Sequence, residues 1–298
     1  MLIVCFVALT RSQRCEASEK GTAVKGGIYF DQVWTPEGSP YVLRGNTKVG
    51  KGTRVQIVPG TRIVGDGHRF TIDGVFEAKG TIENVVNIED VNFVAGKSDK
   101  GEMIFHRCTI SGGSILSPNQ FDGHKASVNV SDSKLFHIKD PIYLFYPPKN
   151  MSIARNIFDE CGGITVGTDG VFVSVRNNLF HKQTTDFAIK NWARYPWTID
   201  QTVSDDGKNY WYPLDMDVSY NTFACTDRVA LKLEPQYVDA HLNLAQNNYF
   251  GTTDEAVVRS MIYDKENDSG VSRRVLYRPF LSSRHPDTPD RPDLRCGE

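Results

Sequence analysis

The feature that most constrains this 298-residue chain is a short phrase that recurs along it. The phrase is an apolar alternation followed by Asn, one further residue and then Phe. It occurs in "MSIARNIFDE", "VSVRNNLFHK", "MDVSYNTFAC" and "LNLAQNNYFG", which carry Asn156/Phe158, Asn178/Phe180, Asn221/Phe223 and Asn248/Phe250. Phe136, Phe158 and Phe180 follow one another at 22 residues, and the step from Phe180 to Phe223 is 43, nearly twice that. A repeat this short cannot bury a hydrophobic face alone, so it must stack on copies of itself.

The residues between the Asn/Phe pairs alternate with period 2, as Val171, Val173 and Val175 do, and they end in polar turns. This pattern is typical of short strands, and helical periodicity is almost absent before residue 252. The sequence therefore predicts an all-β fold, a single-stranded parallel β-helix solenoid with coils of ~22 residues.

In such a solenoid each residue lies about 4.8 Å from its counterpart in the preceding coil, so identical residues form ladders. Stacked Asn side chains can hydrogen-bond to each other and to the turn backbone, while stacked Phe rings fill the interior. We expect Phe136, Phe158 and Phe180 to stack inside one sheet.

Two segments carry a resemblance to a known family. "VWTPEGSPYVLRGNTKV" followed by "VQIVPGTRIV" resembles the first coils, and "NNYFGTTDEAVVRSMIYD" resembles the closing segment, of secreted right-handed parallel β-helix repeat proteins of bacterial and archaeal type. These belong to the broad pectin-lyase-like superfamily, and Phe250 stands where Trp is usual. The resemblance covers roughly residues 26 to 281 and implies a right-handed coil. It implies no single function, because the superfamily holds lyases, hydrolases, epimerases and non-catalytic proteins.

The predicted organisation has four parts. Residues 1–19 form a signal-like or disordered N-terminus, and residues 20–251 form the β-helix with N-terminal capping strands and an aromatic loop insertion at about 190–215. Residues 252–281 form a capping helix and strand, and residues 282–298 form a disordered tail rich in Pro and charge.

The capping helix has its own sequence signals. Thr252 and Glu255 have the spacing of a capping box, and Asp254 adds a negative charge at the helix start. Val257, Val258, Met261 and Ile262 form the apolar stripe that we expect to face the last coil.

Composition excludes some functions and bears on location. The formal net charge is −2 without any block of Lys or Arg, which argues against a nucleic-acid partner, and no apolar stretch reaches the ~18 residues of a membrane span. "MLIVCFVAL" has the length of a signal-peptide core, so we expect a secreted, periplasmic or cell-surface protein; the alternative is a first strand or a disordered tail. No C-x-x-C occurs among the six cysteines, for which buried free thiols are the favoured interpretation.

The repeat is broken between Phe180 and Phe223 by a segment rich in aromatic residues. Such rings suit a sugar, whose C–H face stacks on them while its hydroxyl groups hydrogen-bond; the alternative is that the rings pack the loop against the solenoid. The predicted substrate-binding residues are Trp192, Arg194, Tyr195, Trp197, Tyr210, Trp211 and Tyr212. A second aromatic cluster, "YLFYPP" at 143–148, could line the same face.

A catalytic role would need carboxylates or a base in the same region. "GTDG" and "TDFAIKN" are faintly similar to polygalacturonase-like patterns, but Gly167 replaces the Asn, Thr185 stands where an Asp is wanted, and no Gly-His-Gly or Arg-Ile-Lys follows. The candidate catalytic residues are Asp169, Asp186, Lys190, Asp205 and Asp206.

Metal-binding signals are weak. The seven histidines form neither H-x-H nor H-E-x-x-H, and His106, His137 and His181 are expected at the surface near strand ends. No cofactor is predicted. The single exception is calcium at "DKENDSG", where Asp264, Glu266 and Asp268 alternate, although a solvated loop is the commoner use of such a segment.

Two functions of different class therefore follow from the sequence. One is a non-catalytic exported β-helix that binds or displays itself to a polysaccharide or cell-surface glycan. The other is a pectin-lyase-like polysaccharide lyase or glycoside hydrolase. A purely structural surface scaffold differs from the first only in lacking a ligand.

Overall fold

A computed structural model describes residues 21–117, 125–145, 151–167, 173–192, 216–225, 228–234, 245–271 and 274–291. The chain is an all-β parallel solenoid of about 7 turns with coils of about 23 residues. In the described residues all strand pairings are parallel, because each strand pairs with the corresponding strand of the next coil. The strands form two sheets, one of 8 strands and one of 17, and these sheets make the wall of the solenoid. The predicted fold class is thereby confirmed.

Each coil contributes a strand to each of three faces, in the order first, second, third. The first face contains β2 (Gln32–Trp34), β4 (Arg54–Ile57), β7 (Val75–Lys79), β10 (Glu102–His106), β13 (Ser127–Ser131), β16 (Met151–Ala154), β19 (Val173–Arg176) and β22 (Met216–Ser219). The second face contains β5 (Arg62–Val64), β8 (Val86–Glu89), β11 (Cys108–Ser111), β14 (Lys134–Phe136), β17 (Ile157–Asp159), β20 (Leu179–His181) and β23 (Thr222–Ala224). The third face contains β6 (Arg69–Ile72), β9 (Asn92–Ala95), β12 (Ser114–Ser117), β15 (Ile142–Phe145), β18 (Ile164–Gly167), β21 (Phe187–Trp192), β24 (Val229–Leu233) and β25 (Ile262–Tyr263).

Two long strands begin the solenoid and join the second face to the third. These are β1 (Thr22–Ile28) and β3 (Tyr41–Val49), which pair with each other. Because β3 pairs with β5 at one end and with β6 at the other, the two faces form one continuous sheet. A 3-10 helix at Pro36–Gly38 precedes β3.

The predicted Asn ladder is confirmed and lies at the corner between the first and second faces. Asn156, Asn178, Asn221 and Asn248 are fully buried. The amide Nδ2 of Asn178 donates to the carbonyl oxygen of Ile153 (2.9 Å) and to Oδ1 of Asn221 (3.0 Å), and its own Oδ1 accepts from both nitrogens of Asn156. Every hydrogen-bonding atom of this side chain is therefore satisfied inside the wall.

The ladder continues toward the N-terminus with smaller residues. The backbone N–H of Ser133 donates to Asn156, and the backbone N–H of Cys108 donates to Ser133 Oγ, each over 3.0 Å. The residue before each rung has a positive φ, for example 55° at Arg155 and 54° at Asn177. This left-handed conformation is unfavourable for residues other than Gly, so the hydrogen bonds of the ladder hold the corner in place.

The Phe prediction is right for the later coils and wrong for Phe136. Phe158, Phe180 and Phe223 are buried and stacked, with ring centroids 4.9 and 5.3 Å apart. Phe158 pairs with Leu135, however, and the partner of Phe136 is Asp159, which points out of the solenoid. The spacing from Ser133 to Asn156 is 23 residues rather than 22, and this single extra residue moves Phe136 to the outer side of the strand.

The C-terminal cap is a short helix, α1 (Glu255–Ser260), followed by β25. The predicted capping box is wrong, because the N-cap is Asp254, whose side chain accepts hydrogen bonds from the N–H groups of Ala256 and Val257. The apolar stripe is right except at one position. Val258, Met261 and Ile262 are buried, whereas Val257 is 46% exposed.

Candidate functional site

The third face carries a column of outward residues that continues from coil to coil. In these strands Ile164, Val166, Ile189, Leu231 and Leu233 are buried in the core, so the residues between them point outward. The register aligns Leu116, Tyr143, Thr165, Lys190, Lys232 and Tyr263 in one column.

Small residues separate the aromatic part of this face from its charged part. Tyr143 and Phe145, with ring centroids 6.0 Å apart, belong to β15 and to the second aromatic cluster; the aromatic insertion that they were expected to accompany lies outside the described residues from residue 193 on. The next strand carries Thr165 and Gly167 at the aligned positions, and both are buried although they face outward. The short side chains at these two positions leave a low strand between the Tyr143 and Phe145 rings and the next strand, and we call these two positions the third-face notch.

On the far side of the notch lie two lysines with two carboxylates. The Nζ atom of Lys232 is 2.9 Å from Asp186 and 3.8 Å from Glu234, and the Nζ atom of Lys190 is 3.3 Å from Glu234. Lys190 and Lys232 are aligned on adjacent strands, where two like charges would repel. The carboxylates compensate this repulsion, and we call the four residues the lysine cluster.

Aromatic rings lie beside both ammonium groups. The Nζ atoms of Lys190 and Lys232 are 4.7 and 5.9 Å from the centroid of the Phe187 ring, and Lys232 is also 5.5 Å from the ring of Tyr263. Contacts of this length are cation–π interactions, which hold the lysine heads over the face.

Two pKa shifts describe the electrostatics of the cluster. The hydrogen bond from Lys232 is the main reason why the pKa of Asp186 lies below its usual value. Partial burial works against the charged form of Lys232, but the hydrogen bond and charge of Asp186 outweigh it and raise the pKa of this lysine. Lys232 is therefore a cation and a hydrogen-bond donor at neutral pH, and not a general base, which would need a pKa lowered toward 7.

The structure brings together only part of the predicted site. Asp186 and Lys190 both belong to the lysine cluster, linked through Lys232 and Glu234. The backbone of Trp192 pairs with Gly167 at the edge of the notch. The other predicted residues lie outside the described residues: Asp169, Arg194, Tyr195, Trp197, Asp205, Asp206, Tyr210, Trp211 and Tyr212.

Sequence reasoning missed Lys232 and Glu234. A signal for them exists, because "FAIKN" at 187–191 and "VALKL" at 229–233 are the same phrase one coil apart, and the register aligns them residue by residue. Between these two strands the chain includes residues 193–215, so the spacing is far from 22 and the similarity does not stand out.

The predicted calcium ligand Asp264 has other partners. It is 1% exposed, and its Oδ1 accepts from Arg259 over 2.7 Å while its Oδ2 accepts from the N–H of Val275 over 2.8 Å. Asp268 accepts from the hydroxyl group of Tyr263. Within the described ranges, no three His, Cys, Asp or Glu side chains are placed to hold a metal ion.

A cavity of about 620 Å³ lies beside α1, away from the third-face notch. Its charged lining residues pair with each other: Arg259 contacts Asp264 and Glu266, Arg274 contacts Glu266, and Arg278 contacts Glu255. These pairs leave little charge for a ligand, so we regard the cavity as part of the cap.

Comparison with known proteins adds no identification: no family model, no curated protein and no solved structure matches this chain. In the part of the chain that the structure describes, no helix has the length and apolar character needed to cross a membrane.

Proposed function

We propose that this protein is an exported, non-catalytic β-helix of the right-handed pectin-lyase-like kind that binds polysaccharide along its third face. The observation that carries the proposal is the third-face notch, which has the Tyr143 and Phe145 rings on one side and the lysine cluster on the other. Sugars are bound by such a combination, because rings stack on their C–H faces while charged and polar groups bind their hydroxyl groups or carboxylates. A solenoid face also offers similar positions coil after coil, which suits a chain of repeated sugars.

The charge state of the cluster favours binding over catalysis. Lys232 has a raised pKa because Asp186 holds it, and Asp186 has a lowered pKa in return. Both groups stay charged at neutral pH, so they serve as a donor and an acceptor rather than as a base and an acid. The aromatic insertion at about 190–215 follows β21 directly in the chain, and we propose that Trp192, Trp197 and Trp211 add stacking surfaces for the same ligand.

Export is supported by one cysteine. Cys225 is disulfide-bonded, whereas Cys108 and Cys161 are buried free thiols. Disulfides persist mainly in oxidising compartments, so the bond at Cys225 favours the secreted, periplasmic or cell-surface location that the apolar N-terminal run indicates. Export is tested by producing the chain with its own N-terminus in a bacterium and separating periplasm from cytoplasm. Export would be contradicted if the protein stays in the cytoplasm with Cys225 reduced and still binds polysaccharide.

The binding test uses purified protein against a panel of neutral and acidic polysaccharides, followed by calorimetry with each one that binds. Lys190→Ala and Lys232→Ala should each weaken binding by about tenfold or more, since a hydrogen bond to a charged group is worth roughly 1.5–3 kcal/mol. Thr165→Phe should block binding by filling the notch. The control is Arg54→Ala, which removes a more exposed cation that pairs with Glu77 on the first face.

Binding that survives Lys190→Ala, Lys232→Ala and Thr165→Phe would remove the third face from the proposal. Trp192→Ala, Trp197→Ala and Trp211→Ala separate ligand contact from loop packing. They should lower affinity and leave the melting temperature nearly unchanged if the rings face the ligand.

The second candidate is a polysaccharide lyase or glycoside hydrolase, and one observation favours it: Asp186 and Lys190 lie in one cluster beside the notch. Each polysaccharide that binds should be incubated with the protein while unsaturated products are followed by ultraviolet absorbance and new reducing ends by a colorimetric assay. We expect neither product. Cleavage that is abolished by Lys190→Ala and kept by Arg54→Ala would establish the enzyme and replace the binding proposal.

A further inference from the structure

The segment after Leu281 runs back over the solenoid, against the direction in which the coils advance. The backbone N–H of Leu281 donates to the carbonyl oxygen of Asn248 over 2.9 Å. The hydroxyl group of Thr288 then donates to the carbonyl oxygen of Tyr220 over 2.6 Å, one coil earlier. We call residues 282–291, which belong to the predicted tail, the C-terminal strap.

Two side chains attach the strap to still earlier coils. The ring of His285 lies 4.6 Å from the ring of Tyr220, and its Nδ1 is 3.1 Å from Nδ2 of Asn177. At the end of the strap, Nη1 of Arg291 donates to Oδ2 of Asp159 over 2.7 Å. The strap thus reaches from the last coil to the outer side of β17 on the second face.

Next to Asp159, in the same outward column of the second face, lies His181, followed by Ala224. On these strands Phe158, Phe180 and Phe223 point inward, so His181 points outward by alternation. The sequence therefore predicts an exposed histidine. In the structure its side chain is 1% exposed, which means that something outside the wall covers it.

His181 and Asp159 form an oriented pair. Nδ1 of His181 is 2.8 Å from Oδ1 of Asp159. Asp159 is partly buried, which alone would raise its pKa, but the hydrogen bonds from His181 and Arg291 outweigh burial and hold this pKa below its usual value. An ionised carboxylate only accepts hydrogen bonds, so Nδ1 carries the proton and Nε2 is the ring atom left for another partner. Nε2 is buried and has no hydrogen-bond partner among the described residues.

A second unsatisfied polar atom lies on the same face. Thr222, on the strand after that of His181, is 3% exposed, and its Oγ1 is also buried without a partner. Six buried side-chain atoms lack a partner in the described residues, and these two share the outward side of the second face, which indicates a site that is closed over rather than a part of the core.

We propose that the C-terminal strap covers a binding site on the second face, composed of His181, Asp159 and Thr222, and that this site opens when the strap leaves. The ligand class is a hydroxyl-bearing molecule, because Nε2 of an Asp-oriented histidine can accept a hydrogen bond from a hydroxyl group, and Thr222 Oγ1, on the adjacent strand of the same face, can donate or accept another. This inference is independent of the third-face notch and of the proposed function.

The strap is suited to leave because it can open without unfolding a coil. Ser282, Ser283, Pro286, Asp287 and Asp290 are exposed, and only Thr288 is buried. Among the described residues, its contacts with the solenoid include the hydrogen bond of Thr288, the ring contact of His285 and the ion pair of Arg291. Opening breaks such side-chain contacts without breaking the backbone hydrogen bonds of a coil, so it needs less free energy than unfolding a coil.

The test measures whether the strap controls access to His181. Diethyl pyrocarbonate acylates accessible imidazole nitrogens, and peptide mass spectrometry shows which histidines have reacted. In the full chain, His181 should react at least tenfold more slowly than His137, whose side chain is 65% exposed. In a variant that ends at Leu281, the reagent should acylate His181 at a rate within a few fold of the rate at His137.

Smaller changes give a graded test if the shortened chain does not fold. Arg291→Ala with Thr288→Val removes two anchors and should raise the rate at His181 several fold, with circular dichroism unchanged. Ser283→Ala is the matched control within the strap and should leave the rate at the full-chain value.

Ligand access is tested with glycerol and a neutral oligosaccharide as hydroxyl-bearing probes. In the shortened chain or the double variant each probe should slow the acylation of His181 without affecting His137. The proposal that the C-terminal strap covers His181 is refuted if His181 reacts as fast as His137 in the full chain. It is also refuted if the strap variants are acylated at His181 no faster than the full chain is. The ligand class is refuted if neither probe protects an exposed His181.

Discussion

The early coils and the late coils bury aromatic side chains in different ways. In the early coils, Phe70 and Phe93 come from the third face and Phe76 and Phe105 from the first, and the rings meet at angles up to 76°. In the late coils the stacked rings come from the second-face strands and the residues that continue them, from Phe158 to Phe250, and Phe187 on the third face is buried outside this stack. The interplanar angles in that stack are only 6°, 16° and 26°.

The two regions also differ at the corner and in their connections. The Asn ladder serves only the late coils, where the third-face strands are followed by connections such as residues 193–215. In the early coils the corresponding connection between β6 and β7 is Asp73–Gly74 alone. In a solenoid with long insertions the connections between strands do not fix the strand register, so other contacts must do so. A ladder of buried, mutually hydrogen-bonded amides fixes it, because a shifted coil would leave several polar groups unsatisfied.

The largest expected effect comes from the late stack. Phe180→Ala should destabilise the protein by about 3–5 kcal/mol, or roughly 10 °C in melting temperature, because the rings above and below are held at fixed rung spacing and cannot fill the cavity. Phe105→Ala should cost less, since its tilted neighbours can rotate into the space. Thermal unfolding of both variants measures the difference. Equal losses would mean that ring geometry does not distinguish the two regions.

The next effect concerns the amide ladder. Asn178→Ala leaves the carbonyl oxygen of Ile153 and both nitrogens of Asn156 without their partner, so we expect a loss of about 2–3 kcal/mol. Ser133→Ala, where the ladder passes into the early coils, should cost about 1 kcal/mol because fewer groups depend on it. Urea unfolding of the two variants is the measurement. A larger loss at Ser133 would contradict the assignment of the ladder to the late coils.

A smaller effect depends on pH. Asp159 has a lowered pKa in the folded protein because the hydrogen bonds from His181 and Arg291 outweigh its partial burial. A carboxyl group whose pKa is lowered by folding contributes its full stabilisation above its ordinary pKa of about 3.9. This contribution is lost as the pH falls from there through the folded-state pKa. Thermal melts between about pH 6 and pH 2 should show this loss below about pH 4, and Asp159→Asn should flatten it. An unchanged profile in Asp159→Asn would show that other carboxylates carry the acid sensitivity.

The smallest expected effect on stability concerns the buried cysteines. Burial raises the pKa of the Cys108 and Cys161 thiols to about 12, so both should resist alkylation until the protein unfolds. Alkylation under native conditions followed by mass spectrometry should find both thiols unmodified and Cys225 oxidised. Cys108→Ala should change the melting temperature by only a few degrees. Rapid labelling of either thiol in the native protein would show that these coils open locally.

The type of fold and the content of the ladders could be predicted from the order of the amino acids alone. Asn and Phe recur at a spacing of one coil, and residues at that spacing are neighbours in any parallel solenoid, so the Asn156 to Asn248 ladder and the stack from Phe158 onward could be predicted without coordinates. The coil length was predicted within one residue. That single residue places Phe136 on the outside, because successive positions of a strand point to opposite faces.

The residues that meet on the outer faces follow from contacts between distant parts of the chain, which the sequence pattern does not reveal. Lys190 and Lys232 are neighbours because β21 and β24 keep their register although residues 193–215 lie between them in the chain. An insertion of that length makes the two strands too far apart in sequence for the repeat to be recognised from its spacing. Asp254 rather than Thr252 caps α1 because the helix begins where the chain can fold onto the last coil. The strap returns over the solenoid to bring Arg291 to Asp159, beside the buried His181, and for a contact between residues more than a hundred positions apart the local pattern and period contain no signal.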